Sequence, residues 1–71
     1  MKKLDFTNFD DISEFAENYY LYKDQVSLPK EVFDRIEKCN EHYANFLITS
    51  NERYNQIVGI IYEFMKDLNA K

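Results

Sequence analysis

The stretch YNQIVGIIYEFMKDL, from Tyr54 to Leu68, is the most apolar part of the chain and has its clearest period. Tyr54, Ile57, Val58, Ile61, Phe64, Met65 and Leu68 recur at steps of three and four, the spacing of one helix face. Ile60 and Tyr62 widen that face on either side. At about 100° per residue, the arc from Ile60 round to Tyr62 covers more than half the helix circumference. A helix resting on a single neighbour needs a narrower stripe, so this one must touch at least two, in its own chain or in another copy. Gly59 falls on the polar side of the same wheel, with Asn55, Glu63 and Lys66. Core packing therefore does not require it. Its cost relative to alanine is either tolerated or offset by a backbone or ligand that comes close.

Working back from that stretch, Ile48-Thr49-Ser50-Asn51 interrupts the helical pattern with poor helix formers and good caps. Thr49 and Glu52 match a capping box, which starts a helix. Upstream, Val32, Ile36, Cys39, Tyr43 and Phe46 form a seam at steps of 4, 3, 4 and 3, broadened by Phe33 and Leu47. The two segments read as a tight helical hairpin. The rival is one continuous helix of about 40 residues with a phase slip at Ser50. Ser27 is a candidate N-cap for the seam helix, with Pro29 in its first turn. Asn40 lies within the broadened arc. The reading favoured here puts it at the edge, in water; the alternative is a buried polar group that fixes register.

The first helix is expected from Thr7 or Asn8, either of which can cap it, with Asp10 and Asp11 in the first turn where the helix dipole favours anions. Phe9, Ile12, Phe15, Ala16 and Tyr19 share one face. Asp10, Glu14, Glu17 and Asn18 share the other. Residues 1–6 read as a loosely held lead-in. The expected fold is all-α: three helices, roughly 8–22, 29–48 and 51–69, in a small up-down bundle forming a single domain.

Seventy-one residues bury only about 60% of the surface their unfolded chain exposes, so a lone core is marginal. One cysteine, Cys39, rules out an internal disulfide, and with one histidine, His42, an internal zinc site is not expected. Oligomerisation or a larger partner remains. A homo-oligomer joined through Ile57, Ile60, Ile61, Phe64, Met65 and Leu68 is expected. The single thiol suits a reducing, cytoplasmic setting. No secretory leader pattern or membrane-length apolar run is visible, so no membrane association is expected. The net charge is −4, and from Leu4 to Tyr22 there are five acids and no base. Without a basic stripe, direct nucleic-acid binding is not expected.

Three sets of residues carry candidate chemistry. Cys39 and His42, three apart, could share a metal between two chains or act as a nucleophile and base. Neither an orienting group nor an oxyanion site accompanies them, and a seam thiol packed beside a flanking imidazole is the simpler reading. Asp10, Asp11, Glu14 and Glu17 could hold magnesium or do acid–base work, but such runs are normally a solvated helix face. Tyr19-Tyr20-Leu21-Tyr22 points all the way round a helix and cannot all enter one core. Tyrosine is favoured in binding hot spots. The expected function is a small non-catalytic module that regulates or inhibits a larger protein through Asp10, Glu14, Glu17, Tyr20, Leu21 and Tyr22, with no cofactor. The alternative is an oligomer that sequesters a small molecule between subunits, using tyrosines with Lys23, Arg35 and Arg53.

Overall fold

The computed structural model describes residues 4–69, which are helical and turn in character with no strand among them. There are four helical elements: α1 Phe9–Glu17, α2 Tyr19–Tyr22, α3 Lys30–Ala44 and α4 Ser50–Asn69. The all-α expectation holds, whereas the three-helix count and the up-down order do not.

α4 is the common neighbour. α3 and α1 each pack against it, while their backbones do not come close to each other. This is the two-sided packing that the wide apolar arc calls for. Along α3 and α4, Arg35 reaches Glu63, Cys39 reaches Gln56 and Asn40 reaches Arg53, so the two helices are antiparallel. Along α1 and α4, Phe9 stacks on Tyr62, Ser13 bonds Tyr54 and the Ala16 carbonyl receives Arg53, which is also antiparallel. α1 and α3 therefore run parallel, where an up-down bundle would oppose them. The chain makes the return through α2 and residues 23–29. Tyr19 lies by Glu37, while Lys23 and Asp24 lie by Phe33.

The first expected helix breaks at Asn18. That residue leaves the helical region (φ −125°, ψ 42°), and both its backbone N–H and its side-chain Nδ2 donate to the Glu14 carbonyl. Its own carbonyl then accepts from Leu21 and Tyr22 and opens α2. Asn closes helices readily because its short amide can bond the local backbone. At the other end of α1, Asn8 is the cap, with its Oδ1 accepting from Asp10 N–H at 2.9 Å.

The lead-in, from Leu4 onward, is better held than expected. Leu4 and Phe6 pack on the core, and the Phe6 ring meets Phe15 edge-on at 5.2 Å. Asp11 is buried, and its Oδ2 accepts the Asp5 N–H at 2.9 Å, so this carboxylate fastens the lead-in rather than facing solvent. Residues 1–3 lie outside the described residues.

α3 starts later and ends sooner than its pattern suggests. Pro29, rather than Ser27, stands at the N-cap. The helix stops at Ala44, which excludes the continuous 40-residue helix. The seam is thus cut: Val32, Ile36 and Cys39 are in the core, but Tyr43 and Phe46 are exposed. The stop is a Schellman motif. Leu47 N–H donates to the His42 carbonyl at 2.9 Å and Phe46 N–H to Tyr43 at 3.1 Å, with Phe46 left-handed at φ 61°. Glycine is the usual residue there, and an L side chain in that region costs roughly 1–2 kcal/mol. α4 then opens on the expected capping box: Thr49 Oγ1 accepts from Glu52 N–H at 3.1 Å, and Glu52 Oε1 accepts from Thr49 N–H at 3.0 Å.

The core is Ile12, Phe15, Ala16, Tyr19, Val32, Ile36, Cys39, Ile57, Ile60 and Ile61. Asn40 belongs with it. At 7% exposure it is buried rather than at the edge, because Arg53 Nε donates to its Oδ1 across the α3–α4 contact. Gly59 is exposed, and a methyl group built there would meet nothing within 4 Å. No backbone approaches it, so the glycine is merely tolerated. Gly59→Ala is expected to stabilise the fold by about 1 kcal/mol, raising the thermal midpoint by roughly 4–8 °C in a calorimetric scan. A fall in the midpoint would show that α4 packs differently at this face.

Candidate functional site

The break at Asn18 decides what Tyr19–Tyr22 can do. It turns Tyr19 inward, against Phe15 at 5.5 Å and toward Glu37. Burial, then the bond to Glu37 and its charge, push the Tyr19 hydroxyl well above the usual phenol range. The phenol stays neutral and donates. Tyr20 and Leu21, in contrast, are 60% and 63% exposed and adjacent on the single turn of α2. Lys23 Nζ sits 5.4 Å above the Tyr20 ring, and Tyr19 meets its edge at 5.2 Å, so the ring is held in place while one side remains in water. Tyr22 is half-buried and packs against the core, which leaves it little free surface.

Asp10 and Glu17 are exposed on α1, and Glu14 is half-buried between them on the same face. This acidic face belongs to α1, whereas Tyr20 and Leu21 belong to α2 beyond the break. The structure thus divides the expected contact between two elements. Glu17 also borders a hollow lined by Ser50, Asn51, Arg53 and Tyr54. No lone sequence cue marks that hollow, since it needs α1 to end beside the start of α4.

The α4 arc is largely spent inside the chain. Ile57, Ile60 and Ile61 are buried in its own core and have almost no surface to offer a second copy. Phe64 and Met65 are half-buried, and Leu68 is exposed. Beside them, Tyr62 and Phe9 stack at 6.0 Å, both partly in water.

Cys39 and His42 do not make a reactive pair. Cys39 is buried, with Sγ directed at Gln56 Oε1 (3.2 Å) and the Arg53 carbonyl (3.7 Å). Burial pushes its thiol up, with the charge of Arg53 opposing only in part, so the thiolate needed for attack is disfavoured at neutral pH. Among the described residues no three His, Cys, Asp or Glu side chains gather as a metal site. The cations named for ligand pockets have partners of their own. Arg35 Nη2 meets Glu63 Oε2 at 3.1 Å. Arg53 joins Asn40, the Ala16 carbonyl and the face of Tyr43, 5.7 Å away. Among the described residues no helix is long and apolar enough to cross a membrane.

Compared with known proteins, the chain matches no family model, no curated protein sequence and no solved structure.

Proposed function

We propose that this chain is a small, non-catalytic protein-binding module that acts in the cytoplasm by regulating or inhibiting a larger partner. The observation that carries the reading is the exposed Tyr20–Leu21 pair on α2. Both side chains stand in water, and the Tyr20 ring, already restrained by Tyr19 and Lys23, loses little freedom on docking while both gain apolar burial. Asp10 and Glu17 add negative charge on neighbouring α1, which suits a partner with a basic border and speeds encounter. The buried, protonated thiol of Cys39 supports a role without covalent chemistry.

Self-association keeps a smaller basis than the sequence suggested, limited to Phe9 on α1 and to Tyr62, Phe64, Met65 and Leu68 on α4. The sequestering-oligomer reading draws little support, because Arg35 and Arg53 are already engaged within the chain.

The test compares the wild-type chain with the Tyr20→Ala/Leu21→Ala double variant, immobilised and exposed to lysate. Both side chains are outside the core, so helicity and thermal midpoint should be unchanged. Partner recovery should drop by about 30-fold or more, the loss of a hot-spot contact. Equal recovery by both proteins, or no partner at stoichiometric level with wild type, would sink the proposal.

A further inference from the structure

The α3–α4 turn has two features that its own folding does not require. Phe46 occupies the left-handed position of the Schellman motif at φ 61°, where glycine would sit without strain. Its ring is 94% exposed, so the core gains nothing from it, and Leu47 beside it is 69% exposed. From Tyr43 to Asn51 there is no charged side chain, in a chain of which 31% is charged. The turn is also firmly built, with Schellman bonds before the tip and the capping box after it. A strained, uncharged, apolar knob is therefore presented on a fixed backbone.

We infer that Phe46, supported by Leu47, is an anchor that inserts into a concave, uncharged apolar pocket of a partner protein. This is a second contact besides α2, and it rests on the protein-binding reading above. Three observations select that occupant. Four well-formed hollows among the described residues are each edged with charge: Lys23, Asp24 and Glu37 in one, Arg35 and Lys38 in another, Glu17 and Arg53 in a third, Glu31 and Asp67 in a fourth. None matches the uncharged tip, so a second copy is a poor host. Two tips meeting face to face offer four apolar side chains. At about 150–250 Å² for an aromatic and less for leucine, these fall short of the roughly 1,000 Å² of a stable interface. A membrane is disfavoured as well: anionic lipid attracts lysine and arginine, whereas Glu41 and Glu52 flank the tip and the chain carries a net −4.

The test uses the full chain with the photo-crosslinker benzoylphenylalanine placed separately at Phe46, Tyr20 and exposed Asn55, together with the variant Phe46→Gly. Irradiation in lysate should join one and the same protein to positions 46 and 20 and not to 55. Phe46→Gly should raise the thermal midpoint by about 4 °C or more, yet lower recovery of that protein at least tenfold. Undiminished recovery by Phe46→Gly, a lowered midpoint, or adducts from position 46 only with lipid or with a second copy would each overturn the inference. If position 20 captures a partner and position 46 none, the anchor is refuted while the binding function stands. If neither position captures a partner, both fail.

Discussion

Phe15→Ala should abolish most of the stability of this protein. Phe15 is fully buried at the meeting point of the lead-in, α1 and α2, with Phe6 edge-on at 5.2 Å and Tyr19 edge-on at 5.5 Å. Removing a buried phenyl ring costs about 3–5 kcal/mol, from lost transfer energy and the cavity left behind. A chain of this length has roughly 4–10 kcal/mol in total. The loss also spreads, because Phe6 and Tyr19 each lose an aromatic neighbour. Phe15→Leu, which nearly fills the same space, should cost less than about 1.5 kcal/mol. Urea unfolding followed by helical circular dichroism measures both. If Phe15→Ala cost less than about 1 kcal/mol, the core described here would be wrong.

The second large effect belongs to Arg53. Its guanidinium links three helices: Nε donates to Asn40 on α3, Nη1 to the Ala16 carbonyl on α1 at 3.4 Å, and the plane lies over Tyr43. Asn40 Nδ2 already has no protein partner, so loss of Arg53 leaves the whole buried amide unsatisfied. It also leaves one of the final carbonyls of α1 without its donor. Arg53→Met is therefore expected to destabilise by about 2–4 kcal/mol. Asn40→Leu alone should also destabilise, by leaving the half-buried guanidinium without its acceptor. The double variant should be milder than the sum, because both polar partners have been replaced by apolar groups. A coupling of at least about 1 kcal/mol in the double-mutant cycle is expected. Strict additivity would mean that the Arg53–Asn40 bond does not join α3 to α4 in solution.

These two sites also show what could be read from the chain. The core face of α1 was legible in Phe9, Ile12, Phe15, Ala16 and Tyr19, although Phe9 lies half in water on Tyr62. The wide arc of α4 correctly demanded two neighbours, and Thr49 with Glu52 correctly placed its start. The outward placement of Tyr20 and Leu21 followed from the impossibility of burying four successive helical residues. Other features depend on partners distant in sequence. Asn40 looks like an edge residue until Arg53, thirteen positions later, arrives to bond it. Asn18 lies on a polar face and gives no periodic signal, since its effect is a local backbone turn bonded to Glu14. Phe46 hides the end of α3, because the seam spacing includes it and no glycine marks the left-handed position. The parallel run of α1 and α3 follows instead from the return of the chain through α2 and residues 23–29.

An apolar arc on a small chain suggested a shared interface, yet Ile57, Ile60 and Ile61 are enclosed by α1 and α3 of the same chain. In the proposed binding role, recognition would fall to side chains the core leaves outside, foremost Tyr20 and Leu21, with Phe46 at the α3–α4 turn. Amide hydrogen exchange at residues 57–61, compared at high and at strongly diluted protein concentration, tests this directly. If the arc is buried within one chain, these amides are among the slowest to exchange and their rates are the same at both concentrations. If their protection is lost on dilution, a second copy buries the arc and the account is contradicted.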